Sequence, residues 1–248
     1  MKKIIISILT MVMSVTAMAQ TDVWIWQKGM PVKMEAVDSI TFTDPLGKEY
    51  VDLGLSVKWA TCNIGATKPW VSGYYFAWGE TEPKETYSRD TYKWIALLDG
   101  GYKFTKYCSR SNAGNADGLQ ILEPEDDAAT VYWGKEWRMP TKAEGDELLN
   151  NCTWEWQPEG NAAFNGVAGY KVTSNKTGYT DKYIFFPAAG YISSQKLSYS
   201  GERGYVWTSS VYTSPNFAYY INMNKGRDAI YNIYDYRYIG FPVRAVLP

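Results

Sequence analysis

Two groups of carboxylates are the first candidates for chemistry in this 248-residue chain. They are Glu80 with Glu82, after an aromatic stretch, and Glu125, Asp126 and Asp127, after a proline. Two carboxyl groups about 5–10 Å apart can hydrolyse a glycosidic bond, one as acid and the other as nucleophile or base. Acidic residues after a proline are also typical of a helix N-terminus, where they interact favourably with the helix dipole. We prefer that structural interpretation for Asp126 and Asp127, and we predict no enzyme activity.

Histidine is absent from the chain. Serine–histidine–aspartate and cysteine–histidine catalysis are therefore excluded, and so are metal sites that use imidazole ligands. Carboxylates, tyrosines or lysines would have to carry out any acid–base catalysis. The sequence predicts neither a cofactor nor a metal site.

The three cysteines are Cys62, Cys108 and Cys152. Because the number is odd, at least one thiol stays unpaired or pairs between chains. The C-x-x-C motif of thioredoxin-like and zinc-ribbon sites is missing. Two interpretations stay open: three buried, small apolar residues, or one disulfide in an oxidising compartment, with Cys62 and Cys152 as the preferred pair.

The last third of the chain is rich in tyrosine and asparagine. Tyrosine with Asn, Ser and Asp is the composition of an adaptable recognition surface. We predict a ligand-binding surface made of Tyr212, Tyr220, Asn222, Asn224, Arg227, Asp228, Tyr231, Asn232, Tyr234 and Tyr236. If Ala218, Ile221 and Met223 face inward, with some local irregularity in the strand, then Tyr220, Asn222 and Asn224 share its other face. The alternative is an ordinary polar sheet face that is rich in tyrosine.

Residues 1–19 have the three parts of a cleavable secretory signal peptide. Lys2 and Lys3 precede an apolar stretch from Ile4 to Val15, and Ala17-Met18-Ala19 gives a small-x-small cleavage pattern. The stretch is shorter than the roughly 20 apolar residues of a membrane-spanning helix. Since the next cysteine is Cys62, a lipid anchor is not predicted. The sequence therefore predicts export to the periplasm, the cell surface or the medium, without a membrane span.

The charge of the predicted mature chain argues against polyanionic partners. Loss of Lys2 and Lys3 changes the formal net charge from −1 to −3. A nucleic-acid-binding protein would carry a basic excess instead. The abundant aromatic residues, 11 Trp and 21 Tyr, are suited to stacking on sugars or filling an interface.

Residues 20–48 are predicted as a small β-appendage or linker, and residues 49–248 as the main domain. In the first part, two β-prone runs flank Lys28-Gly29-Met30-Pro31 and predict a hairpin, and residues 39–43 alternate as a third strand. An exposed hairpin of this kind could pair edge-to-edge with a partner strand.

The main domain shows an α+β pattern. Helix signals run from Glu123 to Trp133 and, more clearly, from Thr141 to Asn151, where Thr141 and Glu144 form a capping box. Residues 81–116 are predicted to be long loops, because their periodicity is weak. The predicted strands are Tyr50–Gly54, Leu55–Ala60, Tyr74–Glu80, Tyr170–Thr173, Lys182–Pro187, Gly190–Ile192, Tyr205–Ser210, Ala218–Met223 and Phe241–Val246.

An ordered set of motifs resembles a known family. The motifs are Tyr50-Val51-Asp52-Leu53-Gly54, Phe76-Ala77-Trp78-Gly79-Glu80, Trp137-Arg138-Met139-Pro140-Thr141, Phe186-Pro187-Ala188-Ala189-Gly190, Trp207-Thr208-Ser209-Ser210 and Gly240-Phe241-Pro242-Val243-Arg244. Over about residues 50–247 the chain resembles the Fibrobacter succinogenes major paralogous domain group of exported bacterial proteins. Its N-terminal piece resembles a leader segment of such proteins in Bacteroidetes-type bacteria. The group is similar to the C-type-lectin-like fold, which implies two helices, a central antiparallel sheet and long loops that carry the ligand site.

The chain departs from the members of that fold whose chemistry is known. Gln157-Pro158-Glu159 matches the calcium-site motif of sugar-binding lectins only in part, and the Trp-Asn-Asp motif is missing. Formylglycine-generating enzymes need paired cysteines near the C-terminus, whereas Cys152 is the last cysteine here. We therefore predict a non-enzymatic recognition protein for a glycan or protein ligand. The alternatives are a structural or adhesion subunit and, third, a carboxylate-based glycan-active enzyme.

Overall fold

A computed structural model describes residues 23–27, 30–34, 48–98, 101–225 and 231–248. The chain divides into two compact units, Met1–Thr43 and Asp44–Pro248. The predicted signal peptide and the predicted strand at residues 39–43 lie outside the described residues. Within the described ranges, every helix is too short or too polar to cross a membrane.

The N-terminal unit contains the hairpin that the sequence predicted. Strands β1 (Val23–Gln27) and β2 (Met30–Met34) pair antiparallel. Their register places Trp24 opposite Lys33 and Gln27 opposite Met30. A two-strand ribbon of this size has little independent stability in water.

The second unit is a mixed α+β domain with two helices and many short strands, as the sequence predicted. The helices are α1 (Ala128–Trp133) and α2 (Lys142–Asn151). The strands are β3 (Tyr50–Val51), β4 (Lys58–Asn63), β5 (Tyr75–Phe76), β6 (Ile95–Leu98), β7 (Gly101–Cys108), β8 (Gly114–Ala116), β9 (Cys152–Gln157), β10 (Gly169–Ser174), β11 (Tyr183–Pro187), β12 (Tyr191–Ser193), β13 (Lys196–Ser198), β14 (Arg203–Val211), β15 (Phe217–Asn224), β16 (Tyr231–Tyr236), β17 (Phe241–Pro242) and β18 (Arg244–Leu247).

Both helices begin at the caps that the sequence supplies. The Thr141 hydroxyl accepts a hydrogen bond from the Glu144 amide, and the Glu144 carboxylate accepts one from the Thr141 amide at 2.7 Å. This reciprocal pair is the predicted capping box. The helix signal that starts at Glu123 is split, because Asp127 has an extended backbone and caps α1 through the Thr130 amide.

The strands form several small sheets rather than the one central sheet that the resemblance implied. Four of them have three strands: β14–β15–β16, β11–β10–β9, β18–β4–β3 and β6–β7–β8. The last of these lies within residues 81–116, so the prediction of long loops there is wrong. Ile95 pairs with Phe104 across a hairpin, and Phe104 reaches the core. The order of this segment comes from cross-strand pairing, which weak local periodicity does not reveal.

Two fully buried arginines hold the C-terminal strands in place, and neither has a carboxylate partner among the described residues. Arg237 donates hydrogen bonds to the Tyr92 hydroxyl at 2.8 Å and to the Pro215 carbonyl at 3.0 Å, and it lies over the Trp78 ring. Arg244 instead donates to the Asn63 side chain and to the carbonyls of Ala60 and Phe185. Carbonyl oxygens and ring faces thus compensate the desolvation of both guanidinium groups.

Candidate ligand-binding cavity

Strand β15 lies in the middle of the sheet β14–β15–β16, and its alternate residues face opposite sides. One face is packed against α2, since Ile221 and Met223 share a core cluster with Leu148. The other face carries Tyr220, Asn222 and Asn224, and it forms one wall of a cavity of about 780 Å³.

The register of the sheet brings the wall residues together. Arg203 of β14 pairs with Asn224 of β15, and Tyr205 pairs with Asn222. On the other side, Tyr220 pairs with Ile233 of β16. Cross-strand partners point to the same face, so residues from three strands converge on one space.

The hairpin β12–β13 and the turn after it supply the opposite wall. Its lining residues are Tyr191, Ser193, Tyr199 and Glu202. Gly190 starts this wall with φ +66°, and a Cβ there would lie 2.1 Å from the Ser198 carbonyl oxygen. Only glycine fits such a close approach in a left-handed conformation.

Four tyrosine rings line the cavity and pack against one another. Tyr205 lies 5.3 Å from Tyr191 and 5.6 Å from Tyr220, measured between ring centroids, and Phe241 supports them from below. Burial raises the pKa of Tyr205, although its hydrogen bond with Arg203 acts in the opposite direction. The phenol therefore stays protonated at neutral pH and can donate a hydrogen bond.

Polar groups are set among these rings. The Arg203 guanidinium lies 4.0 Å from the centroid of the Tyr199 ring, and a hydrogen bond with Tyr205 raises the pKa of Arg203. Asn222 is only 5% exposed. The side-chain oxygen of Asn224 is buried and has no hydrogen-bond partner in the described chain. A buried acceptor without a hydrogen bond destabilises a fold, so its presence needs an explanation, and a hydrogen bond from a bound ligand would provide one.

Two carboxyl groups and two cations complete the lining: Glu202, Asp235, Arg203 and Lys225. Burial raises the pKa of Asp235, while the Tyr236 amide, which donates to the carboxylate at 2.7 Å, opposes the shift. The cavity thus offers hydrogen-bond donors and acceptors of both charge signs beside aromatic faces.

The predicted tyrosine and asparagine surface is divided by the sheet. Tyr220, Asn222 and Asn224 line the cavity, whereas Tyr212, Tyr234 and Tyr236 contact one another or Phe217 on the opposite face. The predicted residues therefore do not share one continuous surface. Adjacent residues of a strand point to opposite sides, and the set contains both parities.

The remaining members of that set are only partly placed. The backbones of Tyr231 and Asn232 lie in β16, opposite Asn222 and Ile221. Arg227 and Asp228 lie outside the described residues.

Most of the lining residues were not predicted from the sequence, since Tyr220, Asn222 and Asn224 are, among the described residues, the only members of the predicted set that line the cavity. Tyr191, Tyr199 and Tyr205 belong to a segment rich in Tyr, Ser and Gly. The last third of the chain has a similar composition, so the same compositional signal marks this segment. Glu202, Arg203 and Asp235 gave no local signal of their own.

The first carboxylate group proposed from the sequence has a structural role. Glu80 is buried, and its carboxylate accepts hydrogen bonds from the Lys84 ammonium at 2.9 Å and the Lys93 amide at 2.8 Å. Glu82 is exposed. Neither residue lines the large cavity.

The carboxylates of the second group also have partners within the protein. Asp126 accepts hydrogen bonds from the Tyr107 hydroxyl and the Lys106 ammonium, both at 2.7 Å. The carboxylates of Glu123, Glu125 and Asp126 converge, and Lys106 forms an ion pair with each of them. The chain's own ammonium therefore neutralises much of this cluster.

Asp127 completes that group. It is buried, and it accepts hydrogen bonds from the amides of Thr130 and Met139. These contacts fix the start of α1 against the Trp137-Arg138-Met139-Pro140-Thr141 segment. Asp127 thus lies at a helix N-terminus, as predicted, but it is buried there and the contact with Met139 was not predicted.

The disulfide between Cys62 and Cys152 is not formed. Cys62, Cys108 and Cys152 are all free and buried. Cys62 lies in β4 and Cys152 begins β9, which belong to different sheets. Burial raises the pKa of the Cys152 thiol to about 11, so this thiol is unreactive at neutral pH.

Comparisons with known proteins found no match to the chain among family models, curated proteins or solved structures. The resemblance to the Fibrobacter succinogenes major paralogous domain group therefore stays a prediction.

Proposed function

We propose that this chain is an exported, non-enzymatic recognition protein that binds a sugar unit of a glycan in the cavity. The observation that carries the proposal is the lining itself: four tyrosine rings interleaved with Asn222, Asn224, Arg203 and Asp235. The volume of about 780 Å³ is within the usual range for small-ligand sites, roughly 300–1,000 Å³.

A pyranose has the two kinds of surface that this lining complements. Its C–H-rich faces pack against aromatic rings, and its hydroxyl groups need both donors and acceptors. The tyrosine rings provide the first, and the amide, carboxyl and guanidinium groups provide the second. A ligand hydroxyl could also satisfy the buried Asn224 oxygen.

The same proposal includes a C-type-lectin-like fold and membership of the exported group named above. Two helices in a strand-rich domain and the order of the motifs support the fold. The signal-peptide pattern of residues 1–19 supports export to the periplasm, the cell surface or the medium.

A glycan array with the purified mature protein tests the proposal, followed by titration calorimetry with the glycan that binds best. We expect Tyr199→Ala to weaken binding at least tenfold, because it removes a rim ring that is 42% exposed and contributes little to folding. Tyr183→Ala, which removes a 47% exposed tyrosine outside the cavity, is the matched control. A silent array, or equal affinity of the wild type and Tyr199→Ala, would contradict the proposal. A silent array together with a stable oligomer would favour the structural or adhesion subunit.

One observation favours glycan hydrolysis as a second candidate. Glu202 and Asp235 line the same aromatic cavity, and the raised pKa of Asp235 suits a general acid. Release of reducing ends from the bound glycan, abolished in Glu202→Gln and Asp235→Asn while binding persists, would select this function. Binding without release would exclude it.

A further inference from the structure

Beyond the cavity, the opposite face of β14–β15–β16 carries a continuous array of rings. We call it the tyrosine face, and its members are Tyr212, Phe217, Tyr219, Tyr234, Tyr236 and Tyr238. The rest of this sheet face carries Val206, Ile221 and Met223, which share a core cluster with Leu148 of α2.

The rings are ordered by one another. Tyr212 and Tyr234 are stacked, with centroids 3.7 Å apart and planes inclined by 19°. Tyr236 lies 4.7 Å from Phe217 and stacks on Tyr238 at 5.1 Å. A hydrogen bond with Tyr212 raises the pKa of Tyr234, so the two hydroxyl groups also contact each other. Such mutual packing fixes the rings before any ligand arrives and reduces the entropy cost of binding.

Two rings of the face are exposed and the other four are half-buried. Tyr234 is 41% and Tyr236 is 38% exposed. They occupy alternate positions of β16, so their spacing along the strand is about 7 Å. Two exposed rings, one strand repeat apart, suit a ligand that is itself extended along the strand.

The composition of the face suits a ligand with both apolar and hydroxyl-bearing surfaces. All six members are Tyr or Phe, and each tyrosine combines an apolar ring with a hydroxyl that can donate and accept hydrogen bonds. Two cations border the face. Lys142 lies 5.4 Å from the centroid of the Tyr219 ring and is ion-paired with Asp146, and Arg89 forms a hydrogen bond with Tyr238. Because Asp146 offsets the charge of Lys142, the edge beside Tyr219 does not favour a strongly acidic ligand.

We infer that the tyrosine face binds an unbranched, neutral polysaccharide chain along β16. The C–H faces of successive sugar units would pack on the rings of Tyr234 and Tyr236, and the outward hydroxyls of the tyrosines would hydrogen-bond to the chain. This site is separate from the cavity, because the sheet lies between them. A glycan end held in the cavity and a polymer held on this face are two different binding events.

Affinity electrophoresis of the full mature chain in native gels tests this inference. The gels contain mixed-linkage β-glucan, glucomannan or linear xylan, with alginate as the acidic comparison. We expect retardation by at least one neutral polymer and at least a tenfold weaker retardation for Tyr234→Ala and Tyr236→Ala. Tyr234→Phe, which keeps the ring, should retain most of the binding, and Tyr199→Ala, which alters only the cavity, should bind the polymer normally.

Several results would overturn the inference. They are a lack of retardation in all three neutral gels, retardation in alginate alone, and retardation that both alanine variants preserve. Concentration-dependent self-association that Tyr234→Ala abolishes would assign the face to a second copy of the chain. Circular dichroism of each variant shows whether lost binding reflects lost fold, and Tyr234→Phe keeps the test decisive if an alanine variant unfolds.

Discussion

Tyr219 and Tyr220 are neighbours in β15, yet their rings lie on opposite faces of the sheet. The Tyr219 ring contacts Tyr212 at 5.3 Å on the tyrosine face. The Tyr220 ring contacts Tyr205 at 5.6 Å and Phe241 at 4.8 Å at the floor of the cavity. Two identical residues therefore have different environments, because a strand alternates its side chains.

The two tyrosines should differ in their effect on stability. Tyr220 is 7% exposed, so Tyr220→Ala should lower the free energy of unfolding by about 3–5 kcal/mol, as for other large aromatic truncations in a core. Tyr219→Ala, on the open face, should cost about 1 kcal/mol or less. Urea unfolding of both variants measures the difference. Equal losses would mean that the two rings are equally buried, which would contradict the difference in their environments. Ligand tests at Tyr220 therefore need Tyr220→Phe, which keeps the buried ring.

Replacement of Arg237 by lysine should destabilise the fold. Its guanidinium donates to the Tyr92 hydroxyl and to three carbonyls, which one ammonium group cannot reproduce. Each unsatisfied buried acceptor costs about 1–3 kcal/mol, so Arg237→Lys should lower the free energy of unfolding by at least about 2 kcal/mol. Arg110→Lys, at an exposed position, should stay within about 0.5 kcal/mol of the wild type. A neutral effect of Arg237→Lys would contradict the buried hydrogen-bond network.

The ion pair between Arg138 and Glu144 should make stability depend on pH. Burial alone would raise the pKa of Glu144, but hydrogen bonds from Arg138 and Thr141 lower it. The folded-state pKa is thus below the unfolded one, so the stabilisation is present above about pH 4 and is lost as the pH falls through the folded-state pKa. Glu144→Gln should lower the free energy of unfolding by about 1–3 kcal/mol at pH 7 and by less at pH 3.

Arg138→Gln removes the same ion pair. Its free energy of unfolding should therefore also lie below that of the wild type at pH 7 and closer to it at pH 3. Chemical denaturation at the two pH values measures these free energies. If Glu144→Gln lowers the free energy of unfolding by the same amount at both pH values, the Glu144 side chain stabilises the fold by packing and not by its charge.

The cysteines should behave as three buried thiols. Thiol titration should detect all three after denaturation and almost none in the native protein, since burial raises the pKa of Cys152 to about 11. A reducing agent should leave Tm unchanged. Detection of a single thiol in the denatured, unreduced protein would show that a disulfide forms after all.

Local patterns predicted much of the architecture. The capping box at Thr141 and Glu144 and the hairpin around Lys28-Gly29-Met30-Pro31 are found as expected, because capping and turn chemistry act over a few residues. The sheet β6–β7–β8 was not predicted. Its strands gain their order from pairing with one another, and the sequence of any one of them shows little of this.

The sequence by itself determined that histidine-based chemistry is excluded, that the domain is α+β, and that its last third is rich in tyrosine and asparagine. Composition and short-range spacing are properties of the chain, so no fold is needed to see them. Only the tertiary structure decided which tyrosines share a surface. That choice depends on strand parity and on the packing of β12–β13 and α2 against the two faces of one sheet, and these contacts join residues far apart in the chain. The same packing brought Glu202, Arg203 and Asp235 into the cavity, where local sequence gave no sign of them.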